Sequence, residues 1–164
     1  VQGDITNQST DAIVNAANTR LAPGGGVAGA IHRAAGPKLW EKCKTLNGCK
    51  TGEAKITKGY NLKAKFVIHT VGPVYSGSKH DETHLASSYR NSLKLALDYD
   101  LNSISFPAIS AGAFGYPLKD ASRTALETVI SFLQKEDSML LVQFVLYDNH
   151  TLDMFEQVLD DIIC

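Results

Sequence analysis

The sequence has no long apolar run, no strong net charge and no cysteine pattern, and each absence removes a class of protein. No stretch approaches the ~20 consecutive apolar residues of a membrane-spanning helix, and no secretory signal peptide is visible. Lys and Arg number 16 against 17 Asp and Glu, a net charge of −1, so no global field draws the chain to DNA or RNA. Aromatic residues are 8% of the chain and are not interleaved with basic ones, which leaves no stacking platform for single strands. The three cysteines, Cys43, Cys49 and Cys164, are odd in number and lack metal-ligand spacing. They read as reduced thiols of a cytoplasmic or nuclear protein. No methionine opens the chain; Val1-Gln2 reads as the tail of a strand, so a truncated first strand is expected.

What is present is a chain of 164 residues, 44% hydrophobic, enough for one globular domain over 1–164 with its own core. Strand and helix signals alternate. Asp11 to Asn15, Gly52 to Gly59, Phe66 to Val71, Ser103 to Pro107 and Leu140 to Tyr147 read as strands, the third central and the last buried. Val27 to Ala35, a segment opened by Pro37, a segment capped by Asp81, Leu118 to Leu133 and a C-terminal stripe of Leu152, Phe155, Leu159 and Ile162 read as helices. That order predicts an α/β fold, a three-layer α/β/α sandwich around a mixed, mostly parallel sheet.

The most informative stretch is Ile13 to Gly36, IVNAANTRLAPGGGVAGAIHRAAG. A strand end, a glycine loop and a helix start together make a phosphate site in α/β proteins, because glycine lets the backbone approach and the first helical N–H groups point at the anion. No Gly-Lys-Ser/Thr follows, so it is not a P-loop. Nor does it have dinucleotide-binding spacing. A structural turn and a phosphate loop both fit the glycines; Asn15 and Asn18, at a strand end where amides can meet sugar hydroxyls, favour the second. The charge is also uneven, 11 Lys/Arg against 6 Asp/Glu in residues 1–82 and 5 against 11 thereafter, which favours an anionic ligand in the first half.

Taken together, GDIT at Gly3–Thr6, NAAN at Asn15–Asn18, GGGVAGAIHRAAG at Gly24–Gly36, HTVGPVY at His69–Tyr75 and PAISAGAFGYP at Pro107–Pro117 resemble a macrodomain, the ADP-ribose-binding module, of the MacroD-type or viral-type branch. The resemblance implies that Asp4 takes the adenine amino group with the backbone of Ile5 beside it, and that Tyr147 lies against adenine. Capping a turn and filling the core are the alternatives for Asp4 and Tyr147. It implies that Gly24, Gly25, Gly26 and Val27 on one side, and Ser110, Ala111, Gly112, Ala113 and Phe114 on the other, close over the diphosphate through backbone N–H groups, without metal or cofactor. Asn18 then holds the distal ribose as the catalytic positioning residue, Asn15 braces the loop, and Phe114 covers the sugar. His32 and His69 read as core histidines, with a catalytic base the alternative for His32.

One departure bears on chemistry. MacroD-type hydrolases have Asp ten residues after the second asparagine, and here that position is Ala28. The resemblance therefore implies either a hydrolase of ADP-ribosylated protein or O-acetyl-ADP-ribose, working by substrate-assisted water attack, or a module that reads ADP-ribose without turnover. Its partner is ADP-ribose or an ADP-ribosylated protein; a membrane is not expected, and the balanced charge argues against nucleic acid.

Overall fold

The computed structural model describes residues 1–137 and 139–164. Its sheet is built outward from β1 (Ala12–Ala16), in the order β2-β3-β1-β4-β5. β1 runs parallel to β3 (Phe66–Thr70) and to β4 (Ser103–Phe106), and β4 runs parallel to β5 (Leu141–Phe144). Only the edge strand β2 (Ala54–Lys58) is antiparallel, pairing with β3. A strand with helices over both faces is apolar on both, which is why Ala12, Ile13 and Val14 succeed one another at 1% exposure or less. The expected strand tail at Val1–Gln2 pairs in parallel with Leu146, and Gly3 N–H donates to Leu146 O at 2.9 Å, extending the sheet beyond β5.

Side-chain alternation sorts the core into two layers. Ile13, Ala17 and Val67 pack with Ile31, Leu39 and Cys43 of α1 (Gly26–Ala35) and α2 (Pro37–Cys43). Ala12, Val14 and Ile68 face α3 (Lys79–Asp98), α4 (Leu118–Glu136) and α5 (Asn149–Ile163). The second layer holds an aromatic group: Tyr89 and Phe106 have ring centroids 5.0 Å apart, and Phe106 and Phe144 5.8 Å. This is the α/β/α sandwich expected from the sequence.

Two local expectations are corrected. Ser78, not Asp81, caps α3, its Oγ accepting from His80 N–H at 3.2 Å. Asp81 sits inside the first turn, its carboxylate accepting the N–H groups of Ser76 at 2.8 Å and Gly77 at 3.0 Å. Three backbone donors and a hydroxyl around it hold its carboxyl below the usual range. The last strand is shorter than Leu140–Tyr147: its register with β4 ends at Phe144, only an isolated bridge at Leu146 follows, and Leu141 is 61% exposed.

Candidate functional site

Parallel strands deliver their carboxyl ends to one rim, where open α/β sheets bind ligands. β1 leads into the loop at 17–25, β3 into 71–78, β4 into 107–117 and β5 into 145–148. Apart from Asn15 within β1 and Gly26–Val27 at the start of α1, the sequence-predicted residues lie on the first, third and fourth of these connections and on the turn at Asp4–Ile5.

The first loop is held by the Asn18 amide, together with Leu21 N–H on Asn18 O and Cys49 N–H on Thr19 O, both at 2.9 Å. Asn18 Oδ1 accepts the N–H groups of Arg20 at 3.1 Å and Ala22 at 3.0 Å, while Nδ2 donates to Ala22 O at 2.9 Å. One amide hydrogen remains, beside Gly24, whose Cβ would lie 3.8 Å from Nδ2. Beyond it Gly24, Gly25 and Gly26 are exposed, and Cβ atoms on Gly25 and Gly26 would meet nothing within 4 Å. Gly25 caps α1 with no side-chain bond, and Gly26 has φ +53°, a left-handed conformation that glycine adopts at no steric cost. The first N–H groups of α1 are therefore free and carry the positive end of the helix dipole. Gly29 explains how the loop lies so close: a Cβ there would overlap the carbonyl oxygen of Gly24.

The asparagines divide their work differently from the sequence-based expectation. Asn15 does not brace the loop; it is 1% exposed, inside β1, on the face covered by α1 and α2. Its Nδ2 donates to His69 Nδ1 at 3.0 Å, directly across the β1–β3 register. Thr57 uses its hydroxyl hydrogen on Lys58 O at 3.1 Å, so it accepts from His69 Nε2, 3.0 Å away. Burial, and secondarily the neighbouring His32, push the His69 pKa down to about 3, so the ring is neutral with its proton on Nε2. His69 is the expected core histidine, and Asn15 belongs to the frame beneath the rim.

The second loop is clamped from behind. Tyr89 Oη donates to Pro107 O at 3.3 Å and accepts Ile109 N–H at 3.1 Å. Ser110, at φ +66°, donates its hydroxyl to Pro73 O at 2.8 Å, so only its backbone faces the rim. Tyr116 N–H returns to Ser110 O at 3.0 Å, and Tyr75 N–H donates to Phe114 O at 2.9 Å. Gly72 permits this closeness, since a Cβ on it would overlap Ser110 Oγ. The N–H groups of Gly112, Ala113 and Phe114 take no backbone acceptor among the described residues. Neither Gly24–Val27 nor Ser110–Phe114 contains Lys or Arg, so an anion between them would be held by peptide dipoles.

The flanking positions follow. Asp4 Oδ1 accepts Thr6 N–H at 2.9 Å and its hydroxyl at 2.7 Å, so Asp4 caps the turn Ile5–Asn7 while remaining exposed. Ile5 is buried at 6% in that turn, and its carbonyl accepts Gln8 N–H at 3.3 Å. Tyr147 is 87% exposed, which excludes the core alternative. Phe114 is half-buried. Ala28, at 7% exposure, shares the inward face of α1 with His32 one turn on. Both ring nitrogens of His32 are buried without a partner, its ring stands edge-on to Trp40 at 6.5 Å, and burial lowers its pKa. It is a neutral core histidine and is not placed as a base. The sequence reading missed Tyr75 and Tyr89; Tyr75 stands in the HTVGPVY motif, whereas Tyr89 is indistinguishable in sequence from any helix core residue. Among the described residues no cluster of His, Cys, Asp and Glu could hold a metal ion, and no helix is long and apolar enough to cross a membrane.

A family model described as Macro domain matches residues 14–125. The chain belongs to the macro domain family. It is 49% identical over 164 residues to the O-acetyl-ADP-ribose deacetylase of Salmonella typhimurium, spanning 97% of this chain and 92% of that protein. It is 55% identical over 136 residues to the ADP-ribose glycohydrolase MACROD2 of Xenopus laevis, spanning 82% of this chain and 32% of that protein. The Oceanobacillus iheyensis macrodomain solved with ADP superposes with a TM-score of 0.95 at 44% identity, covering 98% of this chain and 88% of that one. That macrodomain has also been solved with an asparagine or an aspartate replaced by alanine, and with a glycine replaced by valine in the presence of ADPR.

Proposed function

We propose that the whole chain, as one macrodomain, binds ADP-ribose in the groove between Gly24–Val27 and Ser110–Phe114 and hydrolyses bonds at its distal ribose. The substrates are a mono-ADP-ribosylated protein side chain and O-acetyl-ADP-ribose. The observation that carries this is the pair of loops with unsatisfied backbone N–H groups and no basic side chain. Such loops suit a diphosphate that is flanked on both sides by sugars, because dipoles bind it without the tight point contact of an ammonium. Asp4 and exposed Tyr147 stand at the adenine end, Phe114 and the spare amide hydrogen of Asn18 at the distal ribose. The relatives named for ADP-ribose glycohydrolase and O-acetyl-ADP-ribose deacetylase activity support the same reading.

In this reading the loops fix both phosphates, Asn18 orients the ribose, and a substrate phosphate oxygen holds the attacking water. Asn18 is no general base, because an amide does not take up a proton at neutral pH. His32 is enclosed, so it does not take the water's proton, which passes to the substrate phosphate oxygen that holds that water. Rate enhancement comes from placement. The three free cysteines, two of them buried, suit a cytoplasmic or nuclear setting.

Ala28 favours a second reading, a reader without turnover. In the Oceanobacillus protein the replaced asparagine and aspartate lie ten positions apart, with the replaced glycine seven after the asparagine. The same spacings separate Asn18, Gly25 and Ala28. Ala28→Asp would put a carboxylate at the free N-terminus of α1, where the dipole keeps it ionised. Release of label from a mono-ADP-ribosylated acceptor decides between the readings. Wild type should turn over, Ala28→Asp about 10-fold faster, and Asn18→Ala slower in both backgrounds. No turnover by wild type or Ala28→Asp, with ADP-ribose still bound, would establish the reader.

A further inference from the structure

We infer that the cleft between the N-terminal ends of α3 and α4 docks the protein that carries ADP-ribose, and selects a basic side chain close to the modified residue. This rests on the proposed function, since it places the modified side chain at the distal-ribose end of the groove. The cleft encloses about 320 Å³, with Tyr75, Lys79, Glu82, Tyr116, Asp120 and Arg123 around it. It continues directly from the second loop: Tyr75 N–H holds Phe114 O at 2.9 Å, and the Tyr75 and Tyr116 rings stand 5.0 Å apart. A polypeptide attached to the distal ribose leaves the groove beside Phe114 and meets this wall first. The wall offers an aromatic face, Tyr75 being 42% exposed although most large apolar side chains of the chain are buried.

Charge chooses the occupant. Glu82 from α3 and Asp120 and Glu127 from α4 line the cleft, and Asp81 lies buried behind them. Of the two cations there, Arg123 is engaged by Glu127 at 3.4 Å and by Asp161 at 3.8 Å, which leaves Lys79 alone against Glu82 and Asp120. Tyr116 stands in the same lining, and burial, then Glu82, Asp81 and Asp120, raise the pKa of its hydroxyl. An incoming Lys or Arg would find carboxylates on both walls and aromatic faces beside them, the arrangement that attracts a cation. A negatively charged surface such as RNA or an anionic membrane would be repelled.

Binding of two fluorescent peptides bearing ADP-ribose through a hydrolysis-resistant linkage tests this, and does so whether the chain hydrolyses or only binds. The peptides differ only in having Lys and Arg, or Glu, beside the modified residue. Wild type should bind the basic peptide about tenfold tighter, the preference should shrink with added salt, and Glu82→Gln/Asp120→Asn should abolish it while calorimetry shows free ADP-ribose binding unchanged. Equal affinity of wild type for both peptides, with ADP-ribose bound normally, would overturn this inference alone. A preference that survives in the double variant would overturn the assignment to this cleft. Failure of wild type to bind free ADP-ribose would overturn the proposed function and this inference with it.

Discussion

The loop at Gly24–Gly26 and the loop at Ala108–Tyr116 present the same groups, free backbone N–H donors, but are held in opposite ways. The first is pinned at its base by the Asn18 amide and by Cys49 N–H on Thr19 O, and only its tip stands clear, with nothing near Gly25 or Gly26. The second is bolted to Tyr89, Pro73 and Tyr75 and contains a non-glycine residue, Ser110, at positive φ. Glycine supplies the first loop's shape by removing side chains, and hydrogen bonds impose the second's against local preference. A substitution should therefore cost binding without stability in one loop, and stability with binding in the other.

The largest effect should come from acid, because β1 carries the first loop, β3 leads into the 71–78 connection to which the second loop is bolted, and Asn15 and His69 tie these two strands. With the folded pKa of His69 near about 3 and an unfolded value of about 6.5, the unfolded chain takes up a proton that the folded chain refuses. Stability is then complete above about pH 6.5 and falls as the pH drops towards about 3, by about 1.4 kcal/mol per unit. Urea midpoints should show about 3 kcal/mol lost between pH 7 and 4.5, and His69→Gln should flatten the profile. Parallel profiles would mean that His69 does not couple the two strands.

Next in size is Gly72→Ala, whose Cβ would displace Ser110 Oγ from Pro73 O and press on Ile109. It should cost about 2–3 kcal/mol in denaturant unfolding and weaken ADP-ribose in parallel. Tyr89→Phe leaves the buried Ile109 N–H and Pro107 O unpaired and should cost about 2 kcal/mol. Gly25→Val is the counterpart in the open loop. It should alter stability by no more than about 0.5 kcal/mol, yet lower ADP-ribose affinity about tenfold, or about 1.4 kcal/mol, by crowding the phosphates. If Gly25→Val instead unfolds the protein, the contrast between the loops collapses.

The layers were legible because hydrophobic period and strand–helix alternation are local signals, and the motifs named the loops. The division between Asn15 and Asn18 was not. The sequence reading ends this strand at Asn15, whereas β1 runs on to Ala16 and keeps Asn15 within the sheet, and nothing local in the sequence marks that end. Tyr147 was read as ending a buried strand, whereas the register with β4 ends at Phe144 and Tyr147 is left exposed; only partners distant in sequence determine where that happens. The Tyr89 clamp depends on a contact twenty residues away, to Ile109, which helical spacing does not encode.

Gly29 bears on how variant libraries of this chain would be scored. It is packed against the Gly24 carbonyl, whereas Gly25 and Gly26 face open space. A screen for retained ligand binding would rank Gly29 as the most intolerant glycine of the motif, because every larger residue displaces backbone. That ranking would report a misfolded loop, and would credit ligand recognition to a position that no ligand needs to touch. Scoring abundance alongside binding separates the two: Gly29 variants should vanish from both distributions, and Gly25 variants from the second alone.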